Sequence, residues 1–261
     1  MRVQHCCRCN YESNVMSTTV VMYEVVDNIA VITLNRPDER NAMNNELTTA
    51  LRAAWERFNA SDERVAILTH AGEHFSVGVD VKSPAEDFPA CVPNVGVQLE
   101  KPLIAAVSGW TVGGGVVMVQ MADLCVAADT TKFMFPEAKV GFTGALIAGL
   151  AARIPHKVAM ELMLLGEELG AQRAYEIGLV NKVVPRAELR DAALKYARRL
   201  ADNAPMVLSL LREFVRDVIP RGPSEHVARG RLAIQRVRRS DDAGEGVASF
   251  KEKRKPRFRG R

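Results

Sequence analysis

The chain has 261 residues, 48% of them hydrophobic and 25% charged, with a formal net charge of +4; this is an ordinary globular composition, able to bury a large core. No apolar run reaches the roughly 18 residues a membrane span needs, the opening MRVQHCCRCN lacks the apolar stretch of a signal peptide, and five cysteines in a chain of this size do not make a disulfide framework. A cytoplasmic protein without membrane spans is expected.

His5, Cys6, Cys7 and Cys9 are spaced too tightly for a usual structural zinc site and no second ligand pair follows, so no metal is expected. Residues 1–15 are read as a disordered or non-native extension, with Met16 a clean start. Residues 20–26 and 29–34 are β-rich runs split by Asp27-Asn28, a hairpin-type turn. A helix follows from about Asn45, with Leu47, Leu51, Trp55 and Phe58 near helical spacing. Short strands are expected at 65–69, 103–107, 123–127 and 132–135, with Gly-containing turns and helical stretches between them. This alternation argues α/β. Beyond residue 158 the chain turns largely helical: 158–165 closed by Gly166, 171–177 closed by Gly178, 186–200 and 206–219 punctuated by Pro205 and Pro220, and 241–253. No tandem repeat is evident. The expected organisation is a core over 16–204 and a helical region over 205–261. Residues 251–261 hold seven Lys/Arg and one Glu, which reads either as a solvated tail or as a surface for an anionic partner.

Three points could carry chemistry. Phe75-Ser76-Val77-Gly78-Val79-Asp80 follows a strand, and Gly113-Gly114-Gly115 opens the apolar helix 116–121. Glycines at a helix start leave backbone N–H groups bare and let a ligand oxygen approach, and the helix dipole favours negative charge there. A tight, closely packed turn explains a lone GGG equally well. The glycines fit neither a P-loop nor a GxGxxG pattern, and no Gly-x-Ser-x-Gly elbow appears. The third point is Glu137, an acid set after Phe133-Met134-Phe135-Pro136. It reads either as a proton-transfer group or as a helix-start carboxylate.

Taken in order, these pieces resemble the crotonase superfamily, the enoyl-CoA hydratase/isomerase type. The match runs through Ile32-Thr33-Leu34-Asn35-Arg36-Pro37, Arg40-Asn41-Ala42-Met43-Asn44, Phe75 to Lys82, Lys101 to Val107, Gly109 to Gly115 and Phe135-Pro136-Glu137. It continues through Ala174 with Gly178-Leu179-Val180, then Glu245-Gly246, Phe250 and Glu252-Lys253-Arg254. The resemblance implies an α/β fold, a spiral of ββα turns with a C-terminal helical trimerisation region. It implies an acyl-CoA thioester as substrate, with coenzyme A as part of that substrate and no permanently bound cofactor. It implies a homotrimer or a dimer of trimers. The shared chemistry is a thioester enolate whose oxygen is held by two backbone N–H groups, here matching Val79 and Gly114. Arg40, Val77 and Lys82 match positions beside the CoA moiety. Phe250 and Lys253 match positions that reach its adenine end, commonly from a neighbouring subunit.

Hydratases of this type use two glutamates; one matches Glu137, and the other position is Val117. A valine cannot orient water, so the expected reaction is double-bond isomerisation with Glu137 as single acid/base. A hydratase or lyase with a non-standard second acid is the alternative. A weakly catalytic CoA-thioester or RNA-binding homologue is the alternative of another class, with only 6% aromatic residues and no evident base-stacking set against it. Residues 81–100 are shorter than in typical hydratases, and 141–145 lack the usual Pro-Gly-x-Gly-Gly pattern. Both changes reshape the acyl pocket, for which Trp110, Val117, Phe135 and Phe142 are the expected lining. Asp80, His70, His74 and His156 are read as structural.

Overall fold

The computed structural model describes residues 16–18, 20–141 and 145–261. Readings that fall on residues 1–15, and the pocket expectation for Phe142, lie outside the described residues. In chain order the elements are β1 (Met16–Thr18), β2 (Val21–Val26), β3 (Ile29–Leu34), α1 (Asn45–Ala60), β4 (Val65–His70), β5 (Leu103–Val107), β6 (Trp110–Val112) and α2 (Gly114–Met121). There follow β7 (Leu124–Ala128), β8 (Lys132–Met134), α3 (Glu137–Val140), α4 (His156–Leu165), β9 (Leu169–Gly170), α5 (Ala171–Glu176) and β10 (Lys182–Val184). The chain ends in α6 (Leu189–Ala201), α7 (Pro205–Val218), α8 (Pro223–Arg238) and α9 (Asp241–Lys251).

A seven-stranded sheet has the order β1-β2-β3-β4-β5-β7-β10. The β1–β2 and β2–β3 pairs are antiparallel, and the pairs from β3 to β10 are parallel. Asp27 and Asn28 both have positive φ, 49° and 63°, the backbone a two-residue type I′ hairpin requires. The parallel strands are apolar at nearly every position because both faces are buried. Ala30, Ile32, Leu34, Leu68, Leu103, Ala105 and Val107 face a core shared with α1 and α2. The alternate residues Ile29, Val31, Val65, Ile67, Ile104 and Ala106 face α6 through Leu189, Ala193, Leu194 and Ala197. Period-two alternation thus splits one apolar run between two cores.

A second, three-stranded sheet has the order β6-β8-β9. Helix α8 has no counterpart in the sequence expectation. Val227, Ile234 and Val237 are exposed and Ala228 is buried against the main core, and the stretch carries few large apolar residues to mark a helix. Its start is set instead by Pro223 at the first turn and by the Glu225 carboxylate accepting from the Gly222 N–H. Helix α2 begins at Gly114, two residues before the expected 116. The basic end is solvent-exposed throughout, as the solvated reading has it, but it folds back on α9. Arg254 pairs with Glu245 and Glu252, and the Arg259 and Gly260 N–H groups donate to Asp242. Hydrogen bonding to Arg254 holds the Glu245 carboxyl down, to about 2.

Trp55 on α1 is fully buried and donates its ring N–H to the Cys91 carbonyl at 2.9 Å. It therefore ties the main core to the segment between β4 and β5. Trp55→Ala is expected to cost about 3–5 kcal/mol, and Trp55→Phe, which keeps the ring but loses the bond, about 1 kcal/mol. Urea unfolding midpoints at constant m-value measure both.

Candidate active site

The site forms where three backbone ribbons lie side by side. Strands β4 and β5 are parallel neighbours, so the segments leaving their carboxyl ends emerge together, where open α/β sheets place ligands. The segment after β4 folds back along β6. The Phe75 N–H donates to the Ser108 carbonyl (2.9 Å), the Ser76 N–H to the Trp110 carbonyl (3.1 Å), and the Val112 N–H to the Ser76 carbonyl (2.9 Å). On its other side β6 pairs in parallel with β8, with Val112 opposite Met134, and the Gly113 N–H donates to the Met134 carbonyl at 3.0 Å. Ribbon 75–77, β6 and β8 therefore lie in sequence, and just past their ends stand Val79, Gly114 and Glu137.

Glycine is required at two of these turns. Gly78 has φ +91°, and a Cβ there would lie 3.0 Å from the Val112 carbonyl oxygen and 3.4 Å from the Gly114 nitrogen. Gly113 has φ 51° and ψ −110°, and a Cβ there would lie 3.8 Å from Glu137 Oε1 and 3.9 Å from Gly78 Cα. Gly78, Gly113, Gly114 and the Glu137 carboxylate are thus gathered in one place. The Met43 N–H donates to the Gly78 carbonyl and the Asp80 N–H to the Met43 carbonyl, a parallel bridge. In that pattern Val79's own N–H points to the other side of its ribbon. Gly114 opens α2, so its N–H has no helical acceptor. Neither amide donates to another backbone group among the described residues.

Side chains lock this arrangement. Asn41 is fully buried; its amide donates to the Ala71 and His74 carbonyls, and its oxygen accepts from the Arg36 N–H. Ser76 Oγ donates to the Asn41 carbonyl and accepts from the Gly78 N–H. Asp80 accepts from the Lys82 and Ser83 N–H groups and pairs with Arg36 at 3.2 Å. Burial pushes the Asp80 carboxyl up, but those donors outweigh it and hold it below the usual carboxylate range. Glu137 starts α3 directly after Pro136 and is half-buried. The Phe135–Pro136 turn is backed by the end of α4: a Cβ on Gly166 would touch Phe135 O and Pro136 Cα at 3.1 Å, and Lys139 Nζ donates to the Gly166 carbonyl.

Val117 and Phe135 are buried in the main core one turn past Gly113 and two residues before Glu137. Trp110 sits at the start of β6 with Lys132 Nζ 5.2 Å from its ring centre, and Lys132 pairs onward with Glu168. Arg40 and Lys82 are exposed on the flanks of the first loop, and the Val77 N–H donates to the Arg40 carbonyl. Phe250 is 85% exposed on α9, with Lys253 beyond it. No hydrogen bond or ion pair among the described residues joins either to Arg40 or Lys82. Among the described residues no cluster of three potential metal ligands occurs. The roles of Asn41 and Ser76 were not anticipated, because a single buried amide or hydroxyl leaves no periodic signature. Neither was Phe88, whose ring meets Gly114 from the segment between β4 and β5.

A cavity of about 1430 Å³ lies elsewhere. It opens beneath α7 and α8 and is lined by Gln120, Asp123, Arg153, Arg212, Arg216 and Glu225, among others. Two ion pairs cross its lining, Arg212 with Asp123 and Arg153 with Glu225.

His70 joins the two loops from behind. Its Nε2 accepts from the Ser108 N–H at 3.1 Å. Burial pushes its pKa down to about 4, against a weak Ala71 carbonyl contact that raises it. The unfolded chain binds a proton near pH 6.5 and the folded chain only near 4, so this contribution to stability is present above 6.5 and is lost as pH falls through 4. Between pH 7 and pH 4 the wild type is expected to lose about 3 kcal/mol more unfolding free energy than His70→Gln. Urea titrations at the two pH values measure the difference.

Comparison with known proteins gives a consistent result. The sequence pattern of the family described as enoyl-CoA hydratase/isomerase matches residues 24–261. The chain is 35% identical over 257 residues to (E)-benzylidenesuccinyl-CoA hydratase of Thauera aromatica, covering 92% of this chain and 99% of that protein. It is 35% identical to the carnitinyl-CoA dehydratase of Escherichia coli K12, covering 89% of this chain and 95% of the other. Among solved structures, the carnitinyl-CoA hydratase of Mycobacterium avium superposes with TM-score 0.73 at 30% identity, covering 94% of this chain and all of that one. A probable enoyl-CoA hydratase/isomerase of Mycobacterium abscessus superposes with TM-score 0.72 at 35% identity and the same coverage. With the mixed sheet, its flanking helices and the loop site in place, the chain belongs to the enoyl-CoA hydratase/isomerase family, the acyl-CoA enzymes of crotonase fold.

Proposed function

We propose that this enzyme adds water to, and removes it from, an acyl-CoA thioester across C2 and C3, with Glu137 as its single acid/base. The observation that carries this is the convergence of Gly78, Gly114 and the Glu137 carboxylate about Gly113. The thioester oxygen accepts from the Val79 and Gly114 N–H groups. Glu137 takes the C2 proton of a 3-hydroxyacyl thioester, and the electron pair moves onto that oxygen as an enolate. The carbonyl re-forms as the C3–O bond breaks, and Glu137 returns its proton to the departing hydroxyl, which leaves as water. Hydration is the reverse. One carboxylate on one face suffices because it is base in the first step and acid in the second. Each amide donor contributes on the order of 3 kcal/mol to the enolate-like transition state. The names of the relatives, hydratases and a dehydratase, favour this direction over the isomerisation expected from Val117 alone.

Isomerisation stays as a second reading on one observation. Val117, at the position of the second hydratase glutamate, is buried and apolar, which keeps water from the enolate. The same carboxylate would then carry a proton between C2 and C4. In either reading Arg40, Val77 and Lys82 face the CoA moiety, with Trp110, Val117 and Phe135 around the acyl group. Phe250 and Lys253 reach the adenine end of a neighbouring subunit's substrate. Coenzyme A enters with the substrate, and no resident cofactor is called for. A homotrimer or dimer of trimers is supported by the exposed stripe Met206, Leu210, Phe214 and Val218 on α7. Apolar residues at this spacing need a partner surface.

Glu137→Gln is expected to lower kcat by about 10²–10⁴-fold on a panel of 2-enoyl- and 3-hydroxyacyl-CoA esters; retained activity removes Glu137 from the chemistry. Labelled oxygen passing from solvent water into the product marks hydration, and its absence with 3-enoyl-CoA turnover marks isomerisation. Gly78→Ala, which crowds the second donor and strains φ, is expected to cut kcat/KM about 100-fold, checked by steady-state kinetics at matched folded fraction.

A further inference from the structure

Phe88 stands against the Gly114 donor. A Cβ built on Gly114 would lie 3.0 Å from Phe88 Cζ, 3.2 Å from its Cε2 and 3.5 Å from Met43 Sδ. The ring edge therefore rests on the Cα of the residue whose N–H is to hold the thioester oxygen. Glu137 lies beside the neighbouring Gly113, so carboxylate and ring stand at consecutive glycines. One part of the ring packs on the main core and the rest is accessible.

The ring is also held in place. Before it, the Glu86 N–H donates to Asn45 Oδ1 at 2.8 Å, and Asp87 pairs with Arg231 of α8 at 2.7 Å. After it, Trp55 donates to the Cys91 carbonyl, and Cys91 Sγ donates back to the Phe88 carbonyl at 3.3 Å. Four contacts from α1, α8 and the turn itself fix the backbone on both sides. They hold the backbone from which the ring projects, and packing of the ring against the main core opposes its swinging away.

Resting on the acyl-CoA reading of the site, we propose that Phe88 sets substrate specificity. Its ring forms the wall beside the Gly114 donor and excludes acyl groups branched at C2. The C2 atom is two bonds from the thioester oxygen, so a substituent on it falls within reach of a ring seated on the donor's own Cα. Flat, unbranched 2-enoyl and 3-hydroxyacyl groups pass. A methyl group at C2 meets the ring edge.

The test compares wild type, Phe88→Ala and Phe88→Leu on crotonyl-CoA and 2-methylcrotonyl-CoA. Phe88→Ala is expected to raise the kcat/KM ratio of branched to unbranched ester by about 10–100-fold, with Phe88→Leu between, since one methyl group in a pocket discriminates on that scale. A ratio unchanged in both variants overturns the proposal. General damage to folding lowers both substrates together and leaves the ratio alone. The unreactive pair butyryl-CoA and 2-methylbutyryl-CoA, titrated calorimetrically, reads the same preference without turnover. Full activity in Glu137→Gln would sink the catalytic reading, while a shifted binding ratio in Phe88→Ala would still uphold the wall.

Discussion

Strand β6 is three residues long, yet it carries the alignment on which the site depends. It is bonded along one side to ribbon 75–77 and along the other to β8. Both attachments are backbone to backbone. The positions of Val79, Gly114 and Glu137 therefore follow from strand register, and side-chain identity at Val79 and Gly114 is secondary. A shift of one residue in either pairing would carry a donor away by one strand step and turn its N–H to the opposite side. The large sheet supplies the rigidity: β3, β4 and β5 are apolar on both faces and locked between two cores. The loops at their carboxyl ends cannot drift apart without opening the interior.

This arrangement has a local cost. A buried amide without an internal acceptor gives up about 1–3 kcal/mol, and Gly78 and Gly113 adopt backbone conformations that disfavour any side chain. The surrounding polar network offsets it. Asn41 satisfies three backbone groups from two segments, Ser76 bridges Asn41 and Gly78, and Arg36 with Asp80 closes the turn. Such concentration of strain and satisfied polar contacts around two free donors is what a site built to receive an oxyanion requires.

Most of the fold was legible because its signals are periodic or conformational. Short apolar, β-rich runs mark the strands, Asp27-Asn28 marks the hairpin, and Gly166 in the left-handed region ends α4. Helix α8 was hidden because Gly222-Pro223 and Gly230 punctuate a stretch with few large apolar residues among its arginines. Val79 and Gly114 could be named only through the family resemblance, since a backbone donor has no residue type of its own. Glu137 was visible as an acid among bulky neighbours. Phe88 was not: Phe88-Pro89 lies in a segment without period, and only the chain's return along Gly114 gives the ring its place.

The large cavity beneath α7 and α8 and the small loop site suggest different uses for concavity. In the cavity walls Arg212 is bonded to Asp123, Arg153 to Glu225, and Arg216 to the Leu99 carbonyl. A small-molecule ligand bound through these groups would have to displace internal partners. The loop site offers the reverse: two amides with no internal backbone acceptor, a carboxylate beside them, and apolar groups around. Its acceptor must come with the substrate. A thioester carbonyl supplies that acceptor in a form whose charge grows as the C2 proton leaves, so the same two bonds strengthen as the reaction proceeds. That difference between ground state and transition state, rather than the volume enclosed, is why the proposed reaction is assigned to the junction of β6, β8 and ribbon 75–77.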